Sequence, residues 1–200
     1  MRKRKYTQRR RAEQQQETRE RIVDAAMALH EKLGPAETTI SAIADRAGVQ
    51  RLTVYRHFAN DRELFGACSS KWFGLHTPPD LGAIPSGEPE PYTKAVLSAL
   101  YEYYGGTQGM WSVVYRDVAK MPLLNEVLAG FDAYLFAASK QLLAAWAPRR
   151  SAKLKATVSH ALRFSTWQSL DEQKLGTTSM AELAAAWVRA AAELADNPVR

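Results

Sequence analysis

Apolar residues recur along this chain at intervals of three and four, the period of an amphipathic helix. Ile22, Ala26, Leu29 and Leu33 form one such stripe. It predicts a helix from Gln14 to Leu33 that stops at Gly34-Pro35. Ile40, Ile43, Ala44 and Ala47 form a second stripe. Gly48 follows where that helix must end, because glycine takes a left-handed cap at little cost. Thr38 or Thr39 supplies the hydroxyl that caps its start. A nine-residue helix beginning at Gln50 comes next, with Val54 and Phe58 one turn apart on its inner face. Asn60 followed by Glu63 is a capping-box pattern, so a fourth helix starts there and runs to Leu75.

Thr77 to Pro91 holds five of the nine prolines, which predicts a loop. Five helical segments follow: Tyr92–Gly105, Met110–Lys120, Pro122–Ala147, Arg150–Lys174 and Thr178–Asp196. Gly105, Gly106 and Gly109 read as a break between the first two. No stretch alternates with period two, so the expected class is all-α. The expected division is a basic arm over 1–11, disordered in isolation, a three-helix domain over 12–66, and a helical domain over 67–200.

The helix after Gly48 turns an unusual set of side chains outward. Gln50, Arg51, Thr53, Tyr55, Arg56 and His57 all donate hydrogen bonds, and none is acidic. Such a face suits a DNA major groove lined with acceptors and phosphates, and two short helices about a tight turn make a helix-turn-helix. The stretch resembles the TetR family of transcriptional repressors through Ile43-Ala44, Ala47-Gly48-Val49, Thr53-Val54-Tyr55-Arg56-His57-Phe58 and Glu63-Leu64. The resemblance covers roughly Thr18 to Leu64. It implies DNA contacts from Thr39, Gln50, Arg51, Thr53, Tyr55, Arg56 and His57, with Arg62 as a further phosphate contact. Two positions depart from the family pattern. Leu52 stands where glycine is common and adds bulk at the start of the recognition helix, and Asp61 stands where lysine is common.

Charge sharpens this picture. Residues 1–66 carry 14 Lys+Arg against 9 Asp+Glu, and residues 67–200 carry 13 against 12. Nearly all of the net +6 therefore lies beside the helix-turn-helix, as expected for a polyanion partner there. Met1 to Arg11 alone holds seven basic residues, which suits an arm that follows phosphates or enters the minor groove. The single cysteine, Cys68, excludes an internal disulfide and fits a reducing cytoplasm. No apolar run approaches membrane-span length.

The second half is rich in aromatics. Trp72, Tyr101, Tyr104, Trp111, Tyr115, Phe131, Tyr134 and Trp167 are candidates to line a pocket for an aromatic or hydrophobic effector, and equally candidates for plain core. Glu102, Arg116 and Asp117 lie in the same region and suit a charged group on a ligand. Leu154, Val158 and Leu162, with Leu183, Trp187 and Ala191, form stripes on the last helices that suit a four-helix interface between two copies. The resulting expectation is a cytoplasmic homodimer that represses from a palindromic operator and is released by a small molecule. No cofactor or metal is expected: the four histidines are scattered singly, without the spacing of a metal site. A regulator without a small-molecule ligand is the alternative. A helical enzyme acting on an aromatic substrate is the remote one.

Overall fold

The computed structural model describes residues 2–147 and 151–196, and among them every regular element is helical. In order these are α1 (Arg2–Leu33), a 3-10 turn (Pro35–Glu37), α2 (Ile40–Ala47), α3 (Arg51–His57) and α4 (Asp61–Leu75). A second 3-10 turn (Leu81–Ala83) leads to α5 (Pro89–Asp117), α6 (Leu124–Ala145), α7 (Ala152–Ala161), α8 (Phe164–Glu172) and α9 (Thr177–Asp196). The chain folds as two units. The first takes everything up to Thr77 together with Ser112–Asn125, and the second takes Pro78–Trp111 and the chain from Glu126 onward. The boundary expected at residue 66 is therefore not the one observed, and α5 contributes its last residues to the first unit.

The first unit is built on α1, whose Ile22, Val23, Ala25, Ala26 and Leu29 meet Ile43, Ala44 and Ala47 of α2, Val54 of α3, Phe58, and Leu64 and Cys68 of α4. Each side chain in that core sits at helical spacing on one face of its helix, so burying the stripes fixes how the short helices lie. Arg19 also lies over the Phe58 ring, its guanidinium carbon 4.6 Å from the centroid. The basic stretch expected as a disordered arm is instead the start of α1. Arg, Gln, Glu and Ala favour helix, and the exposed Arg9–Glu13 and Gln16–Glu20 pairs lie four residues apart. Met1 lies outside the described residues.

In the second unit α7 and α9 pack together through Leu154, Val158, Met180, Ala181, Ala184 and Val188, all buried. Ion pairs Lys94–Glu182 and Arg189–Glu90 join α5 to α9 on the surface. Two expectations fail here. Gly105, Gly106 and Gly109 lie inside one unbroken α5, because isolated glycines lower helix propensity by only about 1 kcal/mol each and the flanking aromatics are packed. The single helix expected over Arg150–Lys174 is two, α7 and α8, broken at Leu162-Arg163; Thr166 Oγ1 donates to the His160 carbonyl across that break. Arg150 lies outside the described residues.

Candidate nucleic-acid interface

Thr39 is the residue from which the interface starts. Its hydroxyl accepts the Ala42 N–H at 3.2 Å and so caps α2, leaving the side chain exposed beside the helix start. Gly48 ends α2 at φ 66°, ψ 39°, with the Val49 N–H returning to the Ala44 carbonyl at 3.0 Å. The chain thus reverses in a few residues, and α3 begins with Gln50 as its cap and Arg51 as its first residue. The helix is seven residues long rather than nine. Phe58 is extended, so it closes the core from beyond the helix end.

Val54 is the inward residue of α3, 1% exposed. Arg51, Tyr55 and Arg56 are exposed, and Thr53 and His57 are half-buried at the edges. Gln50 is exposed and makes no capping bond with its side chain. The candidate DNA-contacting residues from Gln50 to His57 therefore share one short helix and its cap, while Thr39 stands at the start of α2. Arg62 is exposed in the first turn of α4. That turn is held by Asn60, whose Oδ1 accepts the Glu63 N–H, while the Glu63 carboxylate accepts the Ala59 N–H, both at 2.9 Å. The Glu63 carboxylate is thus occupied with the cap of α4.

Cys68 is buried in the core, and burial pushes its thiol up to about 12, which makes it a packing residue and not a nucleophile. Among the described residues no cluster of His, Cys, Asp and Glu could hold a metal, and no helix is long and apolar enough to cross a membrane.

A profile described as bacterial regulatory proteins, tetR family, matches residues 22–68. These are the residues that build the α1–α4 core and the outer face of α3. Over residues 22–68 the chain is thus similar to the tetR family. TtgR of Pseudomonas putida, an HTH-type transcriptional regulator, is 48% identical over 59 residues, which cover 30% of this chain and 28% of TtgR. The match therefore spans little more than a quarter of that relative's length. A TetR-like regulator from Rhodococcus has the same fold at a TM-score of 0.63 and 20% identity, covering 86% of this chain and 93% of that one. A tetR-family regulator from Streptomyces coelicolor gives 0.59 at 21% identity, covering 92% and 90%. The fold likeness thus runs through the second unit as well. The curated relatives matched over this stretch are named as transcriptional regulators.

Of the candidate pocket residues, Tyr101, Tyr104, Trp111, Phe131, Tyr134 and Trp167 all belong to the second unit. Trp111 and Phe131 have ring centroids 4.3 Å apart, Phe131 and Tyr134 5.4 Å, and Tyr104 and Trp167 6.1 Å. Phe164 of α8 joins them, 5.4 Å from Tyr104 and 5.3 Å from Trp167. The sequence offered no sign of Phe164, since the helix break that turns it inward was not foreseen. The hydroxyls of Tyr101, Tyr104 and Tyr134 donate to the carbonyls of Ala161, Leu162 and Pro79 at 2.7–2.8 Å. Burial raises the Tyr101 and Tyr134 hydroxyls well above the usual tyrosine range, so they remain donors. The buried Trp167 Nε1–H has no acceptor among the described residues.

Trp72 and Tyr115 belong to the first unit instead. Trp72 stacks on His76, centroids 4.7 Å apart, and Tyr115 is 37% exposed. Arg116 and Asp117, read as candidate ligand contacts, are engaged elsewhere. Arg116 Nε donates to Asp117 at 2.8 Å, and Arg116 Nη2 donates to the Leu33 carbonyl at 2.7 Å. Glu102 is exposed on α5.

The candidate interface residues divide. Leu154, Val158 and Leu162 are at most 1% exposed and Ala191 is 6% exposed, so they close the unit's own core and are not available to a partner. Leu183 is 39% exposed and Trp187 half-buried. With Leu194 they mark an apolar strip along α9, beside a shallow groove formed by Ala156, Thr157, His160 and Trp187.

Proposed function

We propose that this chain is a homodimeric DNA-binding transcriptional regulator that reads a palindromic operator through α3, represses from it, and is released by a small molecule held in the second unit. The observation that carries the DNA reading is the outer side of α3: Arg51, Tyr55 and Arg56 exposed together, without an acid, on a helix locked from behind by Val54. Arg51 and Gln50, at the helix start, read base edges; Arg pairs with guanine and Gln with adenine, each through two hydrogen bonds. Tyr55, His57, Thr39 and Arg62 hold phosphates, and Thr53 and Arg56 lie between the two sets. One seven-residue helix spans too few base pairs for a selective site. Two copies in successive major grooves, about 34 Å apart, supply the rest. The exposed strip of Leu183, Trp187 and Leu194 supports the pairing.

The aromatic cluster supports an effector that is flat and largely apolar. The free Trp167 N–H suits a ligand carrying a hydrogen-bond acceptor. A regulator without a small-molecule effector is the second reading, favoured by the satisfied hydroxyls of Tyr101 and Tyr104, which leave those rings with purely structural duties. Fluorescence anisotropy with duplex DNA, repeated across a panel of aromatic compounds, tests both. Tight salt-sensitive binding relieved by at least one compound supports the first reading, and binding that no compound alters supports the second.

A further inference from the structure

Leu52 is 62% exposed in the first turn of α3. At about 100° per residue it lies about 160° round the helix from Val54, and Arg56, four residues on, lies about as far round on the other side. Leu52 and Arg56 therefore form the crest of the helix, directly opposite the core. Arg51 and Tyr55 flank that crest on one side, and the half-buried Thr53 and His57 on the other. A single exposed leucine is ordinary on a protein surface. This one stands on the crest of α3, opposite the core, and every neighbour on that face is a hydrogen-bond donor.

Among the groups that base pairs present in the major groove, the C5 methyl of thymine is the apolar one. A leucine brought against the N4 amino group of cytosine or the O6 of guanine would instead strip water from a polar group and return nothing. We propose that Leu52 is a specificity-determining residue: its methyl groups pack against the C5 methyl of one thymine in each half-site. The assignment rests on α3 being the recognition helix. It gives the bulk at position 52 a task in reading sequence, where a glycine would leave that base pair unread.

The test removes only the methyl. The best duplex selected by the full-length protein from a randomised pool is resynthesised with deoxyuridine in place of thymine, one symmetry-related pair at a time. One missing methyl corresponds to about fourfold in affinity per half-site. Wild type should lose about fifteenfold, fourfold from each of two half-sites, at one symmetric thymine pair and little elsewhere. Leu52→Ala should bind the thymine and uracil duplexes alike, and Leu52→Met, which keeps an apolar side chain, should retain most of the difference. Circular dichroism melting of both variants confirms that they fold. Selected half-sites without thymine, a wild type indifferent to every uracil, or a Leu52→Ala variant that still distinguishes the two duplexes would each overturn the assignment. Failure of the wild type to prefer any duplex over random DNA would overturn the recognition-helix reading itself, and that result is distinguishable from the other three.

Discussion

The carboxylate of Asp117 accepts the backbone N–H of Ala36 at 3.1 Å, across 81 residues of sequence. Asp117 is fully buried, and Arg116 beside it reaches the Leu33 carbonyl. The last turn of α5 thus grips the corner where α1 gives way to α2. Gly34 makes room for it. Its φ is 95°, and a Cβ there would clash with Arg116 Nη2 and Asp117 Oδ2. α5 itself begins in the second unit and ends in this grip.

Breaking the grip should cost stability. Asp117→Ala leaves the Ala36 N–H without its acceptor and Arg116 without its carboxylate, a loss of about 1–3 kcal/mol in urea denaturation. Gly34→Ala should cost at least as much, from both backbone strain and the Arg116 clash. Arg116→Ala should recover part of the Gly34→Ala loss when the two are combined, since it removes the Arg116 clash and leaves the strain and the close approach of Asp117 Oδ2. Strict additivity in that double-mutant cycle would contradict the close approach.

Acid should destabilise the protein in two separate windows. His30 is buried, 8% exposed, with its ring centroid 5.7 Å from that of Phe65. Burial lowers its pKa from 6.5 to about 4. The unfolded chain therefore takes up the proton first. The stability tied to neutral His30 is complete above pH 6.5 and is lost as pH falls toward 4, by up to about 3 kcal/mol. Asp117 works lower. The Arg116 guanidinium and the Ala36 N–H hold its carboxyl below 3.8, so its contribution stands above that pH and is lost as pH falls further. Urea midpoints at pH 7.5, 5.5 and 4.5 should fall for wild type and flatten for His30→Leu. An unchanged slope in that variant would remove His30 from the account.

Two substitutions on α3 should fail differently. Arg51→Ala should lose about 1–3 kcal/mol on the selected duplex and little on random DNA. Tyr55→Phe, which removes only a hydroxyl, should weaken both duplexes by a similar and smaller factor. Equal losses on both duplexes for both variants would refute the division between base and phosphate contacts.

The α9 strip makes the dimer testable without DNA. Leu183→Glu and Trp187→Glu place a charge on the exposed strip, where the single chain tolerates it, and should shift the protein from dimer to monomer in sedimentation. Sedimentation of both variants as dimers would move the interface elsewhere.

Much of the first unit was legible in the sequence because its signals are local. Gly48, Asn60 with Glu63, and the stripes of α1 and α2 each act within a few residues, and the helix-turn-helix follows from them. The grip of Asp117 on Ala36 was not legible, since nothing in Arg116-Asp117 names a partner 81 residues away. The unbroken α5 was missed for a related reason: glycine propensity is a weak local penalty, and packing of Tyr104, Met110 and Trp111 overrides it. The burial of the candidate interface residues was not legible. Periodicity shows that α7 and α9 have apolar stripes, but only the fold shows that Leu154, Val158 and Leu162 turn inward while Leu183 and Trp187 turn out.

The most direct test of the account is an anisotropy titration of a fluorescent duplex, selected by the protein itself, at low and moderate salt beside a scrambled duplex of the same length. The account predicts one dimer bound per selected duplex, at least a hundredfold preference over the scrambled one, and affinity that falls steeply with salt. A monomer that binds both duplexes equally, or neither, would contradict it.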